Sequence, residues 1–362
     1  MTPLRIGLVG AGMIGSTHSA VLQTIAQAMP GALELTAVAD PDPAARERLQ
    51  SLSGWTHAYA DHGALLAGAP VDAVFVCTPT VGHAEVVRDV AAAGRHLFCE
   101  KPLAMTLAEA RDMQAAVHRA GVRAQIGLVL RFSAVYWVMR DLLGDASFGA
   151  PMAAVFRDDQ CFPIRGLHDT AWRADRRRTA GGTLIEHGVH DLDLLTWLFG
   201  PVARLRAWQQ NRSGHDGIED YVAVELAFAS SLRAQLVTIW HDMLQRASNR
   251  RLEIFCPRAF VFSEADMSGD VRLQRGDGEL ERLAWPAVQA RFTALLGRAD
   301  DRFRDWYGVP YLLQDLSFLE ALRAHRDPDP GLDAGVEAQR LAAAVYAAAE
   351  GDCEIDVRTF GT

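Results

Sequence analysis

The chain has 362 residues, 49% of them hydrophobic, and a formal net charge of −9 at pH 7. This acidic balance argues against nucleic acid or an anionic membrane surface as a main partner, and no apolar run approaches the ~20 residues of a membrane span. The N-terminus lacks the basic region and cleavage site of a signal peptide, and the five scattered cysteines predict neither a disulfide framework nor a thiolate metal site, so we expect a cytoplasmic protein of about two domains.

The N-terminal segment carries a strand, a glycine-rich motif and a helix in that order. An apolar run at residues 4–9 leads into Gly10-Ala11-Gly12-Met13-Ile14-Gly15, and a helix-compatible stretch follows the motif. The next predicted strand, residues 33–40, ends on Asp40. A GxGxxG motif between a strand and a helix, with an acid at the end of the next strand, is the dinucleotide-binding fingerprint. We therefore predict a nucleotide site at this turn.

The fingerprint gives a separate task to each of four residues. Gly10 permits the tight turn, Gly12 lets backbone N–H groups approach a pyrophosphate, and Gly15 allows close packing of helix on strand. Asp40 would accept hydrogen bonds from the adenosine ribose diol and repel a 2′-phosphate. The predicted cofactor is therefore NAD rather than NADP, although two arginines follow Asp40 shortly in the sequence.

Strands and helices continue to alternate to about residue 130. The predicted strands are 71–79, 96–100 and 123–130, and the predicted helices are 82–93 and a segment from the Thr106/Glu109 capping box to about 119. This repetition predicts an α/β domain with a doubly wound parallel sheet, which we assign to residues 1–128. Ligands bind such sheets at the carboxyl ends of the strands.

Lysine is almost absent from the chain. Lys101 is the only lysine among 36 lysines and arginines, and it directly follows the predicted strand 96–100. Chance codon usage is one explanation. The other is chemical, because lysine is a compact donor whose pKa shifts with burial, whereas arginine is a wide planar fork that stays charged. The position at a carboxyl strand end makes Lys101 a candidate for chemistry beside the nucleotide.

Beyond about residue 131 the periodicity changes. Alternating or β-rich runs separated by turn residues occur at 221–228, 232–240, 250–255, 259–262 and 271–275. They predict a mostly antiparallel sheet, and helices at about 312–325 and 335–350 close the chain. We assign residues 129–362 to a second, α+β domain.

Residues 181–201 are predicted to form a helix that ends at a Gly-Pro pair. Glu186, His190 and Asp193 are spaced at i, i+4 and i+7, so they share one face of it. Gly188 in the interior costs roughly 1 kcal/mol relative to alanine, which is tolerable where something must approach the backbone. A histidine one turn after a carboxylate is a candidate proton acceptor, although a lone helical histidine is more often structural.

A metal site is the competing interpretation of this segment. His168, Glu186, His187 and His190 offer ligand atoms that zinc accepts. His187, however, is rotated by about 100° per residue from the face of Glu186 and His190, and no HExxH motif or cysteine pair accompanies them. We therefore predict no metal.

These motifs together resemble those of the glucose-fructose oxidoreductase/inositol dehydrogenase (GFO/IDH/MocA) family. The matching segments extend over nearly the whole chain: Gly10–Gly15, Val76–Pro79 with His83, Glu100-Lys101-Pro102, Trp172-Arg173, and Gly181-Gly182 leading to Gly188, His190 and Asp193. The resemblance implies a Rossmann domain followed by an α+β domain with a large open, mostly antiparallel sheet. It also implies hydride transfer between NAD(H) or NADP(H) and a polyol or sugar.

The resemblance also implies roles for individual residues. Lys101 matches the family's catalytic lysine, His190 matches the histidine that takes the hydroxyl proton, and Glu186, where many members have aspartate, would orient it. The implied cofactor site comprises Gly10, Gly12, Met13, Ile14, Gly15, Asp40, Thr78, Pro79, His83, Glu100 and Lys101. The implied substrate site comprises Lys101, Arg131, Trp172, Arg173, Glu186, His187 and His190.

Two further functions stay open for a chain of this kind. Some relatives hold NAD tightly and cleave glycosides by transient oxidation, and others bind sugars as non-catalytic regulatory modules. Because the chain keeps both Lys101 and His190, an enzyme is favoured over a non-catalytic regulatory module. The expected partners are a small polyol, sugar or cyclitol and further copies of the chain, as a homodimer or homotetramer, with Val237 and Ile239 on the contact face.

Overall fold

The computed structural model describes residues 2–165, 170–297 and 309–361. Packing divides the chain into two compact units, called here the first and second units. The first comprises Met1–Leu128, Arg177–Ala180 and Tyr311–Gln339, and the second comprises Val129–Arg176, Gly181–Pro310 and Arg340–Thr362. The first break lies at the predicted boundary, but two later segments that the sequence assigned to the second domain pack with the first unit.

The first unit is built on a six-stranded sheet. Its strands are β1 Leu4–Val9, β2 Leu33–Ala39, β3 His57–Tyr59, β4 Ala73–Val76, β5 His96–Cys99 and β6 Ala124–Ile126. They lie in the order β3-β2-β1-β4-β5-β6, and every neighbouring pair is parallel. This is the arrangement of doubly wound dinucleotide-binding sheets, so the predicted architecture is confirmed.

Five helices connect these strands, and the second, third and fifth of them begin at a side-chain cap supplied by Asp42, Asp61 and Thr106. They are α1 Met13–Ala28, α2 Pro43–Ser53, α3 His62–Gly68, α4 His83–Ala92 and α5 Leu107–Ala120. The predicted capping box at α5 is confirmed: Thr106 Oγ1 accepts the Glu109 N–H, and Glu109 accepts the Thr106 N–H, both at 3.2 Å. Strand residues such as Val74 and Leu97 are fully buried against α4 and α5.

The predicted strand 123–130 is shorter in the structure. β6 ends at Ile126, and Val129–Phe132 forms a turn of 3-10 helix. Gly127 separates them, and a Cβ atom on it would lie 2.7 Å from Oε1 of Glu100. The strand therefore ends where the backbone passes directly over a buried carboxylate.

The second unit contains a nine-stranded sheet. Its strands are β7 Ala153–Cys161, β8 Val202–Gln210, β9 Tyr221–Phe228, β10 Arg233–His241, β11 Asn249–Cys256, β12 Ala259–Glu264, β13 Val271–Arg275, β14 Glu281–Leu283 and β15 Ile355–Asp356. The order is β14-β13-β12-β11-β7-β10-β9-β8-β15, with one parallel pair, β7 and β10. The predicted mostly antiparallel sheet is confirmed, and β7, which the sequence did not reveal, occupies its centre.

This sheet has one buried face and one partly exposed face. Val224 and Leu236 are paired partners on the buried face of β9 and β10. On the opposite face, Val155, Trp208 and Phe255 are 38%, 48% and 39% exposed, which leaves large apolar side chains in contact with solvent.

The remaining helices complete the chain. They are α6 Ala134–Leu143, α7 Val189–Phe199, α8 Trp285–Leu296, α9 Pro310–Arg323 and α10 Leu332–Gly351. None of the helices in the described part of the chain is long and apolar enough to cross a bilayer.

Candidate active site

The glycine turn after β1 leaves room for a ligand at one position. Gly10 has φ +100°, and a Cβ on it would lie 2.5 Å from the Cys77 carbonyl oxygen. A Cβ on Gly15 would lie 1.9 Å from the Gly10 oxygen, so both glycines are required by the packing of the turn. A Cβ on Gly12 would meet nothing within 4 Å. The space beside Gly12 lies at the N-terminus of α1, where phosphate groups bind helices.

Asp40 is fixed beside the same turn. Its Oδ2 accepts the Ala11 N–H at 2.7 Å, and its Oδ1 accepts the Asp42 N–H at 2.8 Å. Arg48 donates to the Ala11 carbonyl at 2.8 Å, and Arg46 donates to the Asp40 carbonyl. The end of β2 thus presents a carboxylate, suited to a ribose diol, together with two guanidinium groups.

The loops after β4 and β5 are joined by His83. Its ring is buried, with Nδ1 2.8 Å from the Pro102 carbonyl oxygen and Nε2 2.9 Å from that of Thr78. His83 was predicted to bind the cofactor, and this geometry gives it the task of bracing the loops. Thr78 Oγ1 is buried and has no hydrogen-bond partner in the described ranges. Buried hydroxyls are normally bonded, so Thr78 fits a polar group of a ligand.

Glu100 is buried inside the first unit. It is 4% exposed; its Oε2 accepts the Lys101 N–H at 3.0 Å, and its Oε1 lies 3.0 Å from Nε2 of His18. Burial raises the pKa of Glu100, but His18 and Lys101 more than offset this, so its pKa lies below the ordinary value. The hydrogen bond to Oε2 anchors the backbone of the half-buried Lys101, and the role of Glu100 towards the cofactor stays a prediction.

In the second unit, the predicted helix 181–201 is wrong in its first part. Leu184–Gly188 forms a π-helical turn, and the α-helix begins only at Val189. The buried Glu219 carboxylate accepts the N–H groups of Gly182 at 2.7 Å and Leu184 at 3.0 Å. These contacts hold the start of the segment, and π turns of this kind occur frequently at functional sites.

Gly188 has the packing role that the sequence suggested. A Cβ on it would lie 3.2 Å from Cγ2 of Thr238, so the atom that approaches the backbone belongs to β10. Gly182 is more constrained still, since its Cβ would lie 1.8 Å from the Glu219 carbonyl oxygen. Both glycines let the π turn lie directly on the buried face of the sheet.

The polar stripe of this segment is buried and paired with arginines. Asp193 accepts two hydrogen bonds from Arg131, at 2.6 and 2.9 Å. The Glu186 carboxylate lies 3.5 Å from Nε of Arg173, whose guanidinium lies 4.7 Å from the centre of the Trp172 ring. The structure thus brings the predicted residues together in two separate groups, Arg131 with Asp193 and Arg173 with Glu186 and Trp172. The two carboxylates lie one turn after and one turn before His190 in the sequence.

His190 itself is 5% exposed on the first turn of α7. The two ion pairs that flank it in the sequence each combine one negative and one positive charge, so they add no net charge to this segment. An imidazole in such surroundings suits exchange of a proton with a bound hydroxyl.

His187 belongs to a different network from His190. Its Nε2 lies 2.8 Å from Nη2 of Arg250, and its Nδ1 lies 2.9 Å from Oδ2 of Asp158. Arginine can only donate, so Nε2 accepts and the proton is on Nδ1, facing Asp158. Both ring nitrogens of His187 thus face residues of the sheet, and its predicted contact with substrate stays a prediction.

Arg250 is a residue that the sequence reasoning missed. It is 2% exposed and donates to Asp191 at 2.9 Å, to Asp158 at 3.2 Å and to Asp266. Burial raises the pKa of Asp158, but Arg250 and His187 outweigh this and hold it well below its ordinary value. Burial and the Asp158 charge raise the pKa of Asp191 well above its ordinary value. The alternation of β11 placed Arg250 on the inward face with Leu252 and was the available clue.

His168, part of the competing metal interpretation, lies outside the described residues. In the portions of the chain that the structure describes, one ligand-like group has the spacing for a metal ion, formed by His62, Glu85 and Asp89. Glu85 and Asp89 are exposed, and His62 Nε2 lies 2.8 Å from the Asp89 carboxylate, so a surface ion pair explains the group.

Comparison with known proteins identifies both parts of the chain. Residues 4–128 match the family model described as oxidoreductase family, NAD-binding Rossmann fold, and residues 136–261 match the GFO/IDH/MocA C-terminal domain. Inositol 2-dehydrogenase of Rhizobium meliloti (strain 1021) is 28% identical over 356 residues, which are 96% of this chain and 97% of that protein. The rhizopine catabolism protein MocA of Rhizobium meliloti is 34% identical over 201 residues, 55% of this chain and 58% of that protein.

The fold is also that of solved structures. Levoglucosan dehydrogenase in complex with NADH and L-sorbose superposes with a TM-score of 0.85 over 99% of each chain, at 19% sequence identity. That likeness concerns the fold alone. The two family matches, the glycine turn and Asp40 lead to the conclusion. The chain belongs to the GFO/IDH/MocA family and is an NAD-binding oxidoreductase, a dehydrogenase acting on CH–OH groups.

Proposed function

We propose that the protein interconverts a secondary hydroxyl and a carbonyl on a sugar, sugar derivative or cyclitol. The observation that carries this proposal is the buried His190 between the Arg173–Glu186 and Arg131–Asp193 ion pairs. Guanidinium and carboxylate groups match the many donors and acceptors of a polyhydroxylated molecule. The names of the similar inositol 2-dehydrogenase and levoglucosan dehydrogenase support the same substrate class.

Bound NAD supplies hydride chemistry at its nicotinamide ring. The residues present fit it: the open space at Gly12 admits the pyrophosphate, Asp40 accepts from the ribose diol, and Thr78 Oγ1 offers an unused hydrogen-bonding group. The remaining chemistry is proton transfer and charge stabilisation. Oxidation of a hydroxyl releases one proton, which neutral His190 accepts as a general base.

Lys101 has the complementary task. Its ammonium donates a hydrogen bond to the substrate oxygen and stabilises the negative charge that develops there. Arginine would keep the charge but place a wider fork where a point donor is needed. Glu186 and Asp193, each paired with an arginine, hold the polar surroundings of His190 in place.

A substrate panel tests this function directly. Polyols, cyclitols and aldoses are incubated with NAD and with NADP, and nicotinamide reduction is followed by absorbance. We expect turnover of at least one polyhydroxy compound, and loss of it in His190→Ala and in Lys101→Met. In the proposed reaction both residues act on one hydroxyl, so the double variant should lose less than the product of the single losses. A protein that binds NADH but turns over no member of the panel would overturn the assignment.

Location and assembly are part of the proposal. All five cysteines have free thiols in the structure, which suits a reducing cytoplasm. The exposed apolar side chains of Val155, Trp208 and Phe255 on the open face of the nine-stranded sheet suit contact with a second copy, in a homodimer or homotetramer.

A further inference from the structure

A histidine, His18, is enclosed in the first unit beside Glu100, the residue that precedes Lys101. His18 lies on the buried side of α1 with Gly15, Leu22 and Ile25, and its side chain is fully buried. Its Nδ1 lies 2.8 Å from Oδ2 of Asp315 on α9, and its Nε2 lies 3.0 Å from Oε1 of Glu100. Both ring nitrogens thus face carboxylates. A neutral imidazole can donate only once, so with both carboxylates ionised only the imidazolium donates to each of them. Burial raises the pKa of Asp315, and the charge of His18 opposes that rise.

The electrostatics agree with that geometry. Burial by itself lowers the pKa of His18, but Asp315 and Glu100 outweigh it and raise the pKa to about 10. The other titratable groups around the cluster are Cys77, Cys99, Lys101 and Tyr311. Burial raises the pKa values of both thiols well above their ordinary value, so they stay neutral while His18 is charged.

Glu100 links this buried cation to Lys101. One carboxylate oxygen faces His18, and the other accepts the Lys101 N–H at 3.0 Å. The backbone of Gly127 closes the third side, since a Cβ there would lie 2.7 Å from the carboxylate. These contacts fix the Glu100 carboxylate in one position. Its negative charge stabilises both the His18 imidazolium and the Lys101 ammonium.

We propose that His18 is a positioning residue for Lys101. The His18 imidazolium, held by Asp315, fixes the Glu100 carboxylate. That carboxylate in turn positions the loop after β5 that carries Lys101, and it supplies the negative charge beside the Lys101 ammonium. This inference rests on the proposed catalytic role of Lys101. It adds two residues, His18 and Asp315, that touch neither substrate nor reacting atoms.

The single lysine makes a direct test feasible. Protein labelled with 13C at lysine Cε gives one lysine NMR signal, whose pH titration reports Lys101 without any substrate. In His18→Gln we expect the titration midpoint to rise, because the Glu100 charge, no longer neutralised by an imidazolium, favours the ammonium. Asp315→Asn, which keeps the shape of the side chain, should shift the midpoint in the same direction by less.

Ser19→Ala is the matched control. Ser19 is the next residue of α1, is also fully buried, and accepts a hydrogen bond from Trp55 rather than from the cluster. It should leave the Lys101 titration unchanged while perturbing α1 to a similar extent. An unchanged midpoint in both His18→Gln and Asp315→Asn would overturn the inference.

Kinetics then separate this inference from the proposed function. With the best compound of the substrate panel, His18→Gln should lower kcat by about 10- to 100-fold while NADH affinity, measured by fluorescence, changes little. If Lys101→Met retains full turnover, the proposed function is wrong. If Lys101→Met is inactive but His18→Gln matches Ser19→Ala in kcat, only the positioning role is wrong.

Discussion

The Asp40 carboxylate accepts the N–H of Ala11 at 2.7 Å, so the acid at the end of β2 is tied to the glycine turn after β1. This bond fixes one carboxylate oxygen at the place where the fingerprint puts the adenosine ribose. The choice between a free diol and a 2′-phosphate therefore depends on one side chain and its neighbours.

Cofactor preference should follow from that carboxylate. We expect kcat/KM to be higher with NAD than with NADP. Asp40→Ser should bring the two values closer, because it removes the carboxylate that repels the 2′-phosphate of NADP while Arg46 and Arg48 remain nearby. Asp42→Ser is the matched control, since a serine can still cap α2. A lower KM for NADP than for NAD in the unmodified enzyme would contradict the prediction.

Replacement of the lone lysine tests its chemistry. Lys101→Arg keeps the positive charge but misplaces the donor, and loss of such a preorganised donor typically costs about 10²–10³ in kcat. Lys101→Met should be as slow or slower. NADH affinity should change little in either variant, because the glycine turn and Asp40 are untouched. Turnover of Lys101→Arg within about twofold of the parent would show that Lys101 has no special catalytic role and is present by chance codon usage.

The buried arginine of β11 should be important for stability. Arg250→Met leaves Asp158 and Asp191 without their shared cation, and breaking a buried ion pair typically costs about 3–5 kcal/mol. Urea unfolding measures the loss. The neighbouring Arg251→Met, whose guanidinium is partly exposed, should cost at most about 1 kcal/mol. Equal effects of the two substitutions would mean that the Arg250 network contributes nothing beyond a surface pair.

The pH dependence of unfolding should reveal the charged state of His18. Its pKa rises from 6.5 to about 10 on folding, so the stabilisation it contributes is fully present below pH 6.5 and is lost as the pH rises towards 10. We expect the unfolding free energy to decrease across this window more steeply in the parent than in His18→Gln. Parallel curves for the two proteins would indicate that the buried imidazole is neutral.

Assembly should depend on the open face of the large sheet. Sedimentation at micromolar concentration should give a multiple of the 39.5 kDa chain mass. Trp208→Glu on β8 should shift the protein towards single chains, because a buried unpaired carboxylate opposes association. Leu52→Glu, at an even more exposed apolar position on α2, is the control and should leave the mass unchanged. A mass near 39.5 kDa for the parent would exclude a stable oligomer.

Local sequence determined much of this protein. The glycine spacing, the Thr106 capping box and the alternation of β9 and β10 act over a few residues, so sterics and periodicity reveal them before folding is considered. The same holds for the helical spacing of His190 and Asp193. These patterns were sufficient to predict the parallel sheet and the mostly antiparallel sheet. They also indicated most of the polar residues of the candidate site.

Only the tertiary structure decided how buried charges are paired. His18 meets Asp315 across 297 residues, and Arg250 meets His187 across 63, and no short-range pattern specifies either partner. The π turn before α7 likewise depends on Glu219 and Thr238, which belong to other parts of the fold. A charge becomes costly only when packing removes its water, and the partner that then stabilises it is whichever opposite charge the fold brings within hydrogen-bond distance.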